Sequence, residues 1–491
     1  MSEIYVGHFQ LAAGALRDID KAFDIVERAR GRAMADALRD QQRPSVDAIS
    51  EQSPAQKEIT DLQRQLRETT TSGERARLLD DLDEAEGHLA SSEYERHEFE
   101  RLALSRPVAL NDLRRSLAPD EVLLEYVLAE PHSFCLVVTR RGTTIQTLAG
   151  QGQIGSAIDG YLADLKARRP VDQRGKQLFS WLLGSCLARR SESNLIVVPD
   201  GKLNEIPFAA LIDSEGRYVA QTHVVTMAPS STVLYMLRQE VRPEAKYAFL
   251  GVGYAQAPPP GATTTQKVTG KLAAVVRGVF DLGNPTIEPL SYTDEEVKAA
   301  ASDIGDPDVV LLGSNATEEK LKSEPLEDFA ILHFAVHAIT NVQEPERSAL
   351  LFADGPHSKE DGLWQAREIR TLSLKADLVT LSACDTGIGR IEGEEGVDSL
   401  VGAFLMAGAK NVMASLWPAN DRFTATLMEK FYAHLAHGTE SASSLDRAEL
   451  DILQQYGRET APYYWAGFVL IGDGRGQIRF QGGKFNGAFK N

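Results

Sequence analysis

Two side chains in this 491-residue chain stand where nucleophilic chemistry is easiest to build. Cys384 closes the apolar run ADLVTLSAC, and Asp385, Thr386 and Gly387 then turn the chain away. His337 closes a second apolar run, AILHFAVHA. Both runs read as buried strands, and in open parallel sheets functional groups collect at the carboxyl ends of the strands. Neighbouring parallel strands lie about 4.8 Å apart, so groups at their ends can face each other across one gap. The separation of 47 positions between His337 and Cys384 leaves room for a hairpin and a helix before the next parallel strand. A thiol facing an imidazole is the minimum set for catalysis by a cysteine nucleophile. Neither residue says this alone, because a strand-end Cys or His is ordinarily a core residue.

Competing chemistries are weaker. On a strand His333 shares a face with Ala335 and His337, which makes it a structural, satisfied imidazole. As a helix, HFAVH would set two histidines one turn apart, but the Glu that such a zinc motif requires is missing and the flanks are β-rich. The run GIGRIEG follows a strand, yet its glycines fall as G-x-G-x-x-x-G from Gly387, and Glu392, Glu394 and Glu395 stand where a pyrophosphate must approach. No metal and no cofactor are expected.

Composition narrows the setting. With 43% hydrophobic and 25% charged residues the chain is ordinary globular protein, which excludes disordered, collagenous and membrane-embedded classes. Three widely spaced cysteines, Cys135, Cys186 and Cys384, build neither a disulfide framework nor a zinc site. Cys135 in SFCLVV and Cys186 in FSWLLGSCLA read as core thiols. The net charge of −18 argues against a dedicated nucleic-acid binder, which needs a cationic footprint. The opening MSEIYVGHFQ lacks a secretory layout and no apolar run reaches membrane length, so a cytoplasmic protein with no membrane partner is expected.

The elements that must position the pair fall into three stretches. Residues 1–104 read as helical, with Leu16, Ile19, Phe23, Val26 and Ala29 on one stripe, then a charged helical hairpin. The hairpin carries Ile59, Leu62 and Leu66 on one arm and Leu78, Leu82, Ala85 and Leu89 on the other, with Gly73 able to take a positive φ in the turn. This region is either a solvated support or a docking surface. Residues 105–240 read as α/β, with a β-meander over EVLLEYVLAEPHSFCLVVTRRGTTIQTLA and a buried strand in SNLIVVPDG. Residues 241–491 alternate apolar strands with amphipathic helices around a long mobile loop at 255–270. The fold class is α/β, a mostly parallel sheet covered on both faces.

In order and spacing, HFAVHA, ADLVTLSACDTG, GEEGVDSLVGAFLMAGAKNVMASLWPANDRFTATLMEKFY and YYWAGFVLIGDG resemble the CHAT family, caspase-like cysteine proteases related to caspases, separase and gingipains. The resemblance is strong over 245–475 and looser over 105–240, where LIVVPDGKLNEIPFAAL is similar to the non-catalytic part that precedes the catalytic one. The N-terminus resembles the remnant of a tetratricopeptide array. The resemblance implies a His337/Cys384 dyad and a thioester acyl-enzyme. The oxyanion would be held by the backbone of Cys384 and Ala338, the latter standing where relatives commonly carry Gly. It also implies that the substrate adds as a strand beside NVMASLW, making Ser415, Leu416 and Trp417 groove candidates, although Trp417 reads equally well as packing. Asp385 and Asp421 are candidates for an acidic pocket favouring Lys or Arg, or else a turn residue and a helix cap. The implied role is cleavage of a specific protein in a prokaryotic defence or cell-death pathway, gated by an activating protein at the N-terminal helices. The alternative is a catalytically silent interaction module.

Overall fold

The structure is a computed structural model that describes residues 3–30, 34–35, 38, 54–69, 71–101, 107–254, 290, 292–305, 309–341, 344–353, 355, 358–382, 400–417, 421–457 and 460–481. The strands of the first half are β1 (Glu121–Val127), β2 (Phe134–Thr139), β3 (Thr143–Thr147), β4 (Asn194–Val198) and β5 (Val224–Met227). Those of the second are β6 (Tyr247–Gly253), β7 (Val309–Leu312), β8 (Phe329–Ala335), β9 (His337–Ile339), β10 (Ala349–Leu351), β11 (Leu363–Gln365), β12 (Leu378–Leu381), β13 (Asn411–Ser415) and β14 (Phe468–Gly472). Eleven of them form one sheet in the order β3-β2-β1-β4-β5-β14-β13-β12-β8-β6-β7, and β11-β10-β9 form a second, small sheet.

Strand composition follows position. Central β8 and β12 are buried along their whole length and almost entirely apolar, as strands covered on both faces must be. Edge strand β3, TTIQT, is half-exposed and threonine-rich. The meander β1–β2–β3 is antiparallel, as expected from the alternation in that stretch. Strands β1, β4 and β5 are mutually parallel, and so are β7, β6, β8, β12 and β13. Strand β14 runs antiparallel to β13 and parallel to β5, so the two half-sheets point in opposite directions and β14 joins them. Among the described residues the seam between β5 and β14 has one register pair, Met227 opposite Ile471.

The N-terminal region is not a separate helical layer. Phe9, Phe23 and Val26 share a core with Leu123, Val127, Leu136 and Val138 of β1 and β2. Buried Glu27 accepts hydrogen bonds from the Ser231 and Thr232 backbone at 3.0 and 2.6 Å, compensating the start of the helix Ser231–Gln239. Leu16, expected on the apolar stripe, is exposed, because the helix begins at Ile19 with Asp18 accepting from the Lys21 backbone at 3.0 Å. The charged hairpin is present as helices Pro54–Glu68 and Ser72–Arg101. Gly73 lies inside the second helix and not in the turn, where the Glu74 carboxylate accepts from the Thr69 and Thr71 hydroxyls at 2.5 and 3.2 Å. The 255–270 loop falls outside the described residues.

A buried ionic hub spans the half-sheets at the end away from His337. Arg238, its side chain 2% exposed, donates to Glu121 at the start of β1 at 2.7 and 3.0 Å and to Asp473 just past β14 at 2.8 Å. Removing Arg238 leaves two buried carboxylates with only the longer contacts of Arg475 and Lys410, at 3.3 Å. Arg238→Ala is expected to cost about 3–5 kcal/mol, read from the midpoint of urea unfolding; a loss under about 1 kcal/mol would show the hub to be dispensable.

Candidate active site

Strand β8 is hydrogen-bonded on both edges, to β6 and to β12, and Phe334 lies opposite Leu381. The Ser382 backbone N–H donates to Phe334 O at 3.0 Å, carrying the pairing one residue past β12. Strand β8 stops at Ala335, whose carbonyl takes the Tyr254 N–H at 3.0 Å. The chain bends at Val336, and His337 opens β9 in the small sheet, opposite Leu351 of β10. His337 is therefore not the end of β8 and does not share a sheet face with His333, as the continuous apolar run suggested. Cys384 and Asp385 lie outside the described residues. In the sequence, His337 and Cys384 each stand three positions past the paired residues Phe334 and Leu381.

His337 is 3% exposed, and its Nε2 has no hydrogen-bond partner among the described residues. Burial pulls its pKa down to about 4, which keeps the imidazole neutral. The buried Ser382 hydroxyl at the neighbouring strand end also lacks a partner among the described residues. Such groups cost about 1–3 kcal/mol each, and sites that must bind something are where they are tolerated. His333, by contrast, is a core residue held from one ring nitrogen. Its Nδ1 meets the Tyr432 hydroxyl at 2.8 Å, its Nε2 lies 3.2 Å from the buried Glu296 carboxylate, and Tyr432 continues to Thr380 at 2.9 Å. Cys135 and Cys186 are buried free thiols, and burial pushes Cys135 up.

The proposed groove residues are differently placed than expected. Strand β13 is interior, paired to β12 on one edge and β14 on the other, so no substrate strand can add along 411–415. Ser415 is buried opposite Phe468, and the Leu416 N–H donates to Gly467 O at 2.7 Å. Trp417 is 2% exposed, donates from Nε1 to Tyr463 O at 3.1 Å and stacks on the Tyr463 ring at 6.1 Å. A Cβ on Gly467 would come within 3.3 Å of that indole, so the packing reading accounts for Trp417. Asp421 is the first residue of the helix Asp421–Ala436, and its side chain lies outside the described set. Ala338 sits in the middle of β9, buried, opposite Leu350.

Sequence reading missed what covers the histidine's sheet. Hairpin residues Ile59, Leu66, Leu82 and Leu89 share a core with Ile339, Ala349, Leu351 and Leu363 of β9, β10 and β11. Residues directly opposite on antiparallel strands share a face, so His337 projects on the face that carries Leu351, the face the hairpin covers. Glu86 of the hairpin receives Arg347 at 2.6 Å and Arg367 at 2.5 Å, Asp83 also pairs with Arg347, and the Gln63 amide meets that of Gln365 at 3.2 Å. Next to this sheet the carboxylates of Glu318, Glu360 and Glu368 converge as metal ligands would. Lys322 Nζ already sits among them at 2.7, 2.6 and 2.7 Å, supplying the positive charge itself.

Comparison with known proteins places these features in a family context. The CHAT domain profile matches residues 172–473. The chain is similar to tetratricopeptide repeat protein 28 of Mus musculus, 26% identical over 316 residues, and of Homo sapiens, 26% over 321 residues. Each alignment covers 57% of this chain but 12% of the relative, so this chain corresponds to a small part of those proteins. Among solved structures, the separase–securin complex of Saccharomyces cerevisiae matches with TM-score 0.47 at 10% identity, over 74% of this chain and 31% of that one. The Arg-specific cysteine proteinase gingipain R matches with TM-score 0.38 at 9% identity, over 63% and 68%.

The buried histidine carries a pH signature. Its folded pKa lies below the unfolded value near 6.5, so its contribution is complete above that value and is lost as pH falls toward about 4. The stability advantage of the wild type over His337→Asn is expected to shrink by about 3 kcal/mol between pH 7.5 and 4. Guanidinium unfolding at several pH values measures it; a difference independent of pH would show that His337 titrates normally.

Proposed function

Because the chain belongs to the CHAT domain family, whose match spans more than half of its length, we propose that it is a cysteine endopeptidase with Cys384 as nucleophile and His337 as its acid–base partner. The observation that carries this reading is the register of β8 and β12. Phe334 pairs with Leu381, and the two reactive residues follow at equal offsets in the sequence. His337 takes the proton of the Cys384 thiol, the thiolate attacks the scissile carbonyl carbon, and the N–H groups of Cys384 and Ala338 hold the oxyanion. The C–N bond breaks as His337 protonates the leaving amine, and water, deprotonated by His337, then adds to the thioester and releases the acid and the thiol. Asp385 and Asp421 favour a basic residue on the acyl side of the scissile bond. The substrate is a protein, cut in the cytoplasm as part of a prokaryotic defence or cell-death response.

The same reading makes the resting enzyme gated. A neutral, buried imidazole cannot hold the thiolate as an ion pair or donate to a leaving amine, so the site must open before it works. The hairpin over the face of β9–β11 is the element an activating protein would displace.

Two measurements test these statements. Cleavage of a positional-scanning peptide library is expected to favour Lys or Arg at P1 and to fall at least about 10³-fold in Cys384→Ala and in His337→Ala. Cleavage that persists in Cys384→Ala would refute the mechanism, and folded protein that cleaves nothing in any state would leave the silent interaction module. Glu86→Ala removes one carboxylate shared by Arg347 and Arg367, and is expected to raise basal cleavage and speed amide exchange over 337–339 and 349–351. Faster exchange with unchanged cleavage would separate hairpin docking from gating.

A further inference from the structure

A second site lies at the seam. Where β5 and β14 part, a cavity of about 20 Å³ opens between Phe208 and Met227 on one side and Phe468 and Leu470 on the other. The helix Ser441–Tyr456 closes it and turns two carboxylates into it, Asp446 and Glu449, one helical turn apart. Glu449 is 3% exposed, and among the described residues neither carboxylate has a hydrogen bond or an ion pair. The cation nearest in sequence, Arg447, is exposed and donates to the Thr439 hydroxyl at 3.1 Å.

An acid buried in apolar surroundings with no counter-charge is costly, several kcal/mol if ionised, and a neutral side chain of the same shape would remove that cost. Elsewhere in this chain buried carboxylates are answered: Glu121 and Asp473 by Arg238, Glu27 by two backbone N–H groups, Glu318 by Lys322. Buried Glu296 has only the His333 ring beside it, at 3.2 Å; among the described residues buried Glu449 and half-buried Asp446 have no polar contact at all, and they face a cavity. Burial raises both carboxyls, Asp446 to about 7 against the opposing charge of Arg447 and Glu449 well above its ordinary value, so a cation in the cavity would favour their ionised forms. A volume of about 20 Å³ takes one ammonium-sized group, and the apolar side chains around it must part to admit a methylene stem.

We propose that this cavity binds an alkylammonium group, with Glu449 and Asp446 as its counter-ions and Phe208, Met227, Phe468 and Leu470 around its methylenes. The group is the end of a lysine side chain from a partner segment or of a free aliphatic diamine. The site stands apart from His337 and does not depend on the protease reading.

The test uses the full chain at about pH 8, with n-butylammonium chloride as probe and n-butanol and matched NaCl as controls. Saturation-transfer NMR is expected to show the butyl methylenes in contact with the wild type, with thermal stabilisation beyond that in NaCl and none from butanol. In Glu449→Gln the affinity is expected to fall at least tenfold while the unliganded protein melts no lower than wild type, since the uncompensated acid is gone. Asp446→Asn provides the same comparison should Glu449→Gln fold poorly. Tighter binding of Nα-acetyl-lysine methylamide than of 1,5-diaminopentane assigns the group to a protein lysine, and the reverse order assigns it to a free diamine. Absence of saturation transfer, or equal affinity in the wild type and both variants, overturns the proposal.

Discussion

The architecture depends on a change of direction at one seam. Three parallel strands of the first half run opposite to five of the second, and β14 reconciles them by lying antiparallel to β13 and parallel to β5. Backbone pairing across that seam rests on Met227 and Ile471 among the described residues, far less than the continuous ladders inside each half. The buried Arg238 hub supplies what the ladder does not, because its guanidinium fork fixes Glu121 of one half and Asp473 of the other in one geometry. The thin pairing also leaves the gap in which two unanswered carboxylates sit. Strength at one end of the seam and space along it are two results of the same constraint.

At the other end of the molecule the main sheet hands the chain to a smaller one. Strand β8 is held on both edges up to Ala335, and one bend at Val336 delivers His337 to β9. The histidine therefore belongs to an element whose outer face is covered by the N-terminal hairpin, with apolar packing and the Glu86 contacts to Arg347 and Arg367 joining residues 261 and 281 positions apart. The helical N-terminus divides accordingly: residues 3–30 belong to the core of the first half-sheet, while the hairpin belongs to the sheet of the histidine.

Much of this was legible along the chain. Alternation and turn signals marked the β-meander, continuous apolar runs marked β8 and β12, and of the hairpin's expected apolar positions 59, 66, 78, 82, 85 and 89 are buried while Leu62 is half-buried. His333 read as structural and is, held by Tyr432. The misreadings share a cause. AILHFAVHA contains no Gly or Pro at its bend, so nothing local separates β8 from β9. Leu16 and Gly73 fell on the wrong side of helix starts, the first at Ile19 where Asp18 caps and the second at Ser72. NVMASLW read as an open strand because a sequence does not say that β14 occupies the second edge.

The sequence by itself determined which residues are apolar, which can do chemistry and how many positions separate them, because periodicity and side-chain type act over a few neighbours. Those were enough for the α/β class, for His337 and Cys384 as the reactive pair to consider, and for the family. Tertiary structure alone decided which edges are free, which face of β9 is covered and where a charge is answered. Each of these is a contact between residues tens to hundreds of positions apart, with no local signature of its own. Trp417 is a packing residue because Gly467 and Tyr463 arrive beside it. Glu449 is a buried acid without a partner because two half-sheets of opposite direction meet where its helix crosses.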